Sequence, residues 1–224
     1  MSTWINFKPK AFIFDLNGTM IDDMEFHSRA WSSILNEDLG AGLSAEEVKR
    51  EMYGKNSKLL ERIFGKAHFS PERELELSME KERRYQKAYL PYMKLIDGLA
   101  IFLEQAQDQQ VGMAIGSAAI PFNIDYILDN LNIRGYFKAI VSADDVVLSK
   151  PDPETFLKAA ALLGVKPADC IVFEDAPKGV EAAKNAGMKT VVLTTMHEKD
   201  EFANGDHIVA FVSDYRDPIL KALF

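Results

Sequence analysis

CIVFEDAPKGVEAAKNAGM, residues 170–188, reads as a strand, a turn and a helix in immediate succession. CIVF (170–173) is a short, unbroken apolar run, as suits a strand covered on both faces. It stops at Glu174 and Asp175. Pro177 can then open a helix, because the first helical position needs no N–H, and Gly187 can end it. Similar apolar runs stand on either side. AFIF (11–14) halts at Asp15, VGMAI (111–115) leads into Gly116-Ser117-Ala118, and AIV (139–141) precedes Asp144 and Asp145. TVVL (190–193) and IVAFV (208–212) follow.

Helical patterns lie between these runs. Leu99, Phe102, Leu103 and Ala106 fall at i, i+3, i+4 and i+7, as do Ile124, Ile127, Leu128 and Leu131. Phe156, Ala159, Ala160 and Leu163 repeat the spacing before Gly164, and Asp152 is placed to cap that helix. Strands alternating with helices imply right-handed crossovers. The fold class is therefore α/β, a doubly wound parallel sheet of Rossmann-like type. One stretch breaks the alternation. Residues 22–95 carry helix signals and no convincing strand: Ser44 with Glu47 reads as a capping box, and Ser70-Pro71 as an N-cap followed by Pro. An insert of that length on a strand-to-helix loop reads as a cap domain. The division expected is a core of residues 1–21 and 96–224 and an all-helical cap of residues 22–95.

Composition bounds the partners. With 34 Asp or Glu against 26 Lys or Arg, the net charge is −8, which argues against nucleic acid. The one dense basic stretch, KERRYQK (81–87), is interrupted by Glu82 and reads as a solvated helix face. No apolar run approaches the ~20 residues that span a bilayer, and the N-terminus shows no secretory signal. A lone cysteine, Cys170, excludes a disulfide scaffold. A cytoplasmic chain, monomeric or weakly self-associating, is the expectation. His68, His197 and His207 show no ligand spacing.

Ligands of open parallel sheets bind at the carboxyl ends of the strands. The residues found there are Asp15 with Asn17-Gly18-Thr19, Ser117 with Ala118, Lys150, and Glu174-Asp175. A carboxylate can attack a phosphoryl group, and Mg²⁺ takes one or two carboxylates plus substrate phosphate. Lys150 can offset the repulsion between those carboxylates and an anion. Ser117 can donate its hydroxyl beside backbone N–H groups such as that of Ala118. Positioning and charge neutralisation are what phosphoryl transfer chiefly requires.

FDLNGT, IGSA, SKPDPETF and FEDAPKGVEAAKNAGM together resemble the four motifs of the haloacid dehalogenase (HAD) superfamily. The helical insert resembles the cap of its β-phosphoglucomutase-like branch. The resemblance implies that Asp15 is the nucleophile, forming an aspartyl-phosphate. It implies that Asn17 offers its backbone carbonyl to Mg²⁺, that Ser117, Ala118 and Lys150 bind phosphate, and that Glu174 and Asp175 hold the metal. In the cap, His27 resembles a hinge histidine, and Lys81 with Tyr85 a substrate-facing helix; Lys55, Lys58 and Lys81 could contact an anion. The implied activity is a Mg²⁺-dependent phosphatase for a small phosphorylated metabolite such as a sugar phosphate, or a hexose-phosphate mutase.

The chain departs from the resemblance in two places. The family's phosphatases and mutases carry Asp where this chain has Asn17, and that side chain is their general acid and base. An amide cannot exchange a proton this way, and such help is worth about 10²–10⁴ in rate. An engineered replacement that slows turnover, an acid drawn from Asp22, Asp23, Glu25 or His27, and a protein that mainly binds phosphate ligands all fit. Also, Ala119, Ile120 and Pro121 follow Ala118 where the mutases have a basic residue and an amide, which weakens the grip on a second phosphate. A metal-independent dehalogenase is disfavoured by the Glu174-Asp175 pair and Ser117.

Overall fold

The computed structural model describes residues 7–224. They fall into two compact units. One comprises the chain up to Asp22 with Lys94–Phe224, the other Asp23–Met93.

The first unit is built on a six-stranded, wholly parallel sheet. Its strands are β1 (Ala11–Phe14), β2 (Gly112–Gly116), β3 (Ala139–Val141), β4 (Cys170–Glu174), β5 (Lys189–Leu193) and β6 (Ile208–Val212), in the order β3-β2-β1-β4-β5-β6. The sequence turns back across the sheet between β3 and β4, as a doubly wound topology requires. β2 begins one residue later than its apolar run suggests, because the Val111 N–H closes the preceding helix onto the Ala106 carbonyl. Alternation sends β1 side chains to opposite faces. Ala11 and Ile13 join a core with Ala114, Val172, Phe156 and Ala183. Phe12 and Phe14 lie against Phe102, Phe173 and Tyr215 on the other side. Each such buried ring is worth about 1.5–3 kcal/mol.

The helices of this unit have local causes. For α5 (Leu99–Asp108) in the chain's helix count, the buried residues are Leu99, Phe102, Leu103 and Ala106, the stripe that the spacing predicts. α6 (Pro121–Asn130) and α8 (Pro177–Asn185) both open on proline. α7 (Glu154–Leu163) starts where the Asp152 carboxylate accepts the Glu154 N–H, and it ends at left-handed Gly164. Where the chain leaves this unit and returns to it, its two feet are joined. Ile21 and Leu95 form an antiparallel bridge, and the Ile96 N–H donates to the Met20 carbonyl at 2.9 Å.

The second unit holds α1 (Met24–Ser32), α2 (Ala45–Glu51), α3 (Asn56–Phe64) and α4 (Pro71–Tyr89), and no strand among the described residues. The capping box at Ser44 and Glu47 is formed, and the Ser70 hydroxyl accepts the Arg73 N–H. Trp31, Ile34, Leu35, Val48, Leu59, Leu60 and Leu77 make its core. The last turn of α1 runs into a π-helical segment, Ser33–Asp38, for which the sequence carries no signal. The reading of residues 81–87 as a solvated face is corrected. Lys81, Glu82 and Tyr85 are buried and only their neighbours face water, because charge partners on other elements let α4 bury them. No described helix is long and apolar enough to cross a membrane.

Candidate active site

Register brings the strand-end residues together. Phe14 pairs with Ile115 on one side and with Phe173 on the other, so Asp15 emerges between the ends of β2 and β4. The Asp15 N–H continues the ladder to the Phe173 carbonyl at 3.0 Å, and the Ser117 N–H does the same to Val141 at 2.9 Å. The Lys150 ammonium bridges Asp15 Oδ1 at 2.6 Å and Glu174 Oε1 at 2.7 Å, 4.6 Å from the centre of the Phe156 ring. The second Glu174 oxygen accepts the N–H groups of Asp175 (2.9 Å) and Ala176 (2.8 Å). Asp175 Oδ1 accepts the Thr19 hydroxyl at 3.0 Å. Two glycines make room for these carboxylates: a Cβ on Gly18, where φ is +74°, would overlap the Asp175 carboxylate, and one on Gly179 would overlap that of Glu174.

Three buried carboxylates thus face one ammonium, and the electrostatics follow. Burial raises the Asp15 pKa to about 7; Lys150 opposes this and Glu174 adds to it. Asp175 is raised well above the usual carboxylate range, by burial first and then by Glu174 and Asp15. Burial works against the Lys150 charge, but Asp15 and Glu174 overcome it and hold the amine more firmly protonated than usual. A divalent cation could offset the negative charge of such carboxylates. Among the described residues no three His, Cys, Asp or Glu side chains form a metal cage by themselves. Mg²⁺ rarely uses such a cage; it takes one or two carboxylates and keeps oxygens from water and substrate, so Asp15 and Asp175 with a backbone carbonyl suit it. Both Glu174 oxygens are engaged here, one by Lys150 and the other by backbone N–H groups.

The remaining expected residues are distributed as follows. Ser117 is buried, and its hydroxyl oxygen accepts the Ala119 N–H at 3.1 Å; Ala118 beside it is exposed. Asn17, in the turn after β1, is half-buried and bridges to Ile21. Asp145 accepts from the Ser142 N–H and hydroxyl and so caps a short turn. His27 and Lys81 belong to the helical unit and meet there, Nζ to Nδ1 at 2.6 Å, with Lys81 also 3.0 Å from Glu82. The His27 ring stacks on Tyr85, whose hydroxyl donates to Asp23. Burial lowers the Lys81 pKa, and Glu82 opposes that. Lys55 is half-buried at the N-cap of α3.

Two residues beside the strand ends carry no motif. The Thr195 hydroxyl donates to the Gly18 carbonyl at 2.5 Å, and the Tyr215 hydroxyl donates to the Thr19 carbonyl at 3.1 Å. They follow β5 and β6, and extending the strand-end rule to those strands is the signal that finds them.

The comparisons with known proteins agree with this fold. A family profile described as haloacid dehalogenase-like hydrolase matches residues 12–193, from the strand before Asp15 through β5. A beta-phosphoglucomutase of Bacillus subtilis (strain 168) is 36% identical over 197 residues, 81% of this chain and 82% of its own. The fructose-1-phosphate phosphatase YqaB of Escherichia coli (strain K12) is 31% identical over 187 residues, 81% of this chain and 94% of its own. A solved HAD hydrolase of family IA, variant 3, from Entamoeba histolytica superposes with a TM-score of 0.82 at 26% identity, covering 96% of this chain and 99% of that one. The parallel sheet, the acidic strand ends with their lysine and a match over most of the chain lead to one conclusion: this protein belongs to the haloacid dehalogenase-like hydrolases, an enzyme family whose members similar to it include phosphatases and phosphomutases.

Proposed function

We propose that the protein is a Mg²⁺-dependent phosphatase acting on a small phosphorylated metabolite, a sugar phosphate by analogy with its relatives. The observation that carries this reading is the Lys150 ammonium held between Asp15 and Glu174, with Asp175 packed against Gly18. Asp15 attacks phosphorus, an Asp15 O–P bond forms as the ester O–P bond breaks, and the departing alkoxide takes its proton from water to leave as the alcohol. Water then cleaves the aspartyl-phosphate and releases phosphate. Lys150 and Ser117 hold nonbridging oxygens through the transfer. Asp15, Asp175 and the Asn17 carbonyl would hold Mg²⁺, with Glu174 orienting Lys150; the cation supplies neutralisation of the charge that develops on the phosphoryl oxygens.

Asn17 sets the rate in this reading. Its amide cannot protonate the departing alcohol or activate water, so turnover falls on substrates with poor leaving groups. The test is a panel of phosphomonoesters assayed with and without Mg²⁺ on three chains: wild type, Asn17→Asp and Asp15→Ala. Asn17→Asp is expected to raise kcat by up to about 10²–10⁴-fold, and Asp15→Ala to abolish it. An unchanged rate in Asn17→Asp refutes the role given to that position, and an active Asp15→Ala refutes the mechanism.

The similarity to a beta-phosphoglucomutase favours a second reading, a hexose-phosphate mutase. A bisphosphate intermediate needs a second anion site. Lys81 is already satisfied by Glu82 and His27, and Ala119-Ile120-Pro121 offers no cation, so hydrolysis is preferred. Isomerised sugar phosphate that appears only with a bisphosphate primer would reverse the preference.

A further inference from the structure

The turn after β1 carries Asn17, Gly18 and Thr19 beyond the end of the strand ladder, so the Gly18 and Thr19 carbonyls have no neighbouring strand to donate to them. Two side chains supply the donors instead, Thr195 to Gly18 at 2.5 Å and Tyr215 to Thr19 at 3.1 Å. They come from the far half of the sheet, after β5 and β6. Thr19 stands between those two peptides, and its hydroxyl donates to Asp175 Oδ1 at 3.0 Å. On the neighbouring Gly18, a Cβ would overlap the Asp175 carboxylate.

Tyr215 is itself held at both ends. Its N–H donates to the Asp97 carbonyl at 3.0 Å. Beside that bond stands Gly98, with φ +85°, where a Cβ would collide with the Tyr215 and Arg216 backbone. Its ring is enclosed by Phe14, Phe102 and Phe173. A ring fixed on every side aims its hydroxyl with little freedom, and Thr19 and Tyr215 are both buried.

We propose that Tyr215 and Thr195 are positioning residues of the phosphoryl-transfer site: they lock the Gly18 and Thr19 peptides so that Thr19 holds Asp175 in the orientation that binds the divalent cation. The inference rests on the reading of Asp15 and Asp175 as cation-binding carboxylates. Hydrogen-bonded supports of ligating carboxylates typically matter by about 10–100-fold in metal affinity or activity.

The test uses the full chain as Tyr215→Phe, Thr195→Val and the double variant, each losing a donor and little volume. Mg²⁺ affinity is measured by titration calorimetry with Mg²⁺ alone, and kcat and KM are measured with p-nitrophenyl phosphate. Each single variant is expected to weaken Mg²⁺ binding and lower kcat by about 10-fold or more, with KM moving far less. The double variant is expected to fall close to the worse single one, since both act through adjoining peptides. Melting curves show whether the fold persists; a purely structural role would lower stability and leave the Mg²⁺ affinity and kcat of the folded fraction unmoved, which overturns the proposal. If wild type turns over with Mg²⁺ and the variants match it, the positioning role fails alone. If wild type binds Mg²⁺ but hydrolyses nothing, and the variants bind it more weakly, the phosphatase reading fails and the positioning role stands. A wild type that binds no Mg²⁺ overturns both.

Discussion

Glu174 shows how much of the site is set by what a single residue lacks. Its carboxylate takes the Lys150 ammonium on one oxygen and the Asp175 and Ala176 N–H groups on the other. It can do so only because Gly179, in the first turn of α8, leaves empty the volume where a Cβ would lie. In a helix, Gly→Ala ordinarily gains about 0.5–1 kcal/mol. Here the added methyl would drive the carboxylate off three donors in a close-packed interior. Gly179→Ala is therefore expected to lose about 1–3 kcal/mol in urea unfolding, against the helix propensity. A gain in stability would mean that the carboxylate can leave its donors at no cost, and the orienting role given to Glu174 would go with it.

At the scale of an element, α4 buries an ion pair where its sequence reads as a wet helix. Lys81 and Glu82 are each 3% exposed, and Asn56 donates to Glu82 from α3 at 2.8 Å. Removing one member strands the other charge. Glu82→Gln is expected to destabilise the helical unit by about 3–5 kcal/mol, and Lys81→Met with Glu82→Gln to recover most of that loss. Chemical denaturation followed by circular dichroism reads both values; equal losses for the single and double variants would mean that the pair is not the cause. This burial is illegible in the sequence because it depends on Asn56 and His27, which lie on other helices. The strands and helix ends are legible for the opposite reason: an apolar run, a Ser44–Glu47 box or Gly164 acts within a few residues of itself. The site divides in the same way. Asp15, Lys150, Glu174 and Asp175 sit in motifs at strand ends, whereas Thr195 and Tyr215 matter through carbonyls almost 180 or more residues earlier in the chain.

For the whole molecule, Cys170 is a built-in reporter. It is the sole thiol, it lies fully buried in β4, and burial with Asp169 nearby pushes its pKa up to about 11. Alkylation then requires the sheet to open, because the thiolate is the reactive form. Where reclosing outpaces labelling, the rate follows the open population. A ligand at 100 times its Kd stabilises the native state by about 2.7 kcal/mol, so Mg²⁺ at that level is expected to slow iodoacetamide labelling at constant pH by about 100-fold. Asp175→Asn is expected to lose that protection, and labelling of wild type that ignores Mg²⁺ would remove the cation from the site. The pairing of Ile21 with Leu95, and of Ile96 with Met20, has a further consequence at this scale. To the sheet, the whole helical excursion is a detour stapled at its mouth, and doubling the length of a closed loop costs only about 0.6 kcal/mol. Descendants of such a chain can trade one detour for another while the strand registry beneath stays put as a fixed chassis.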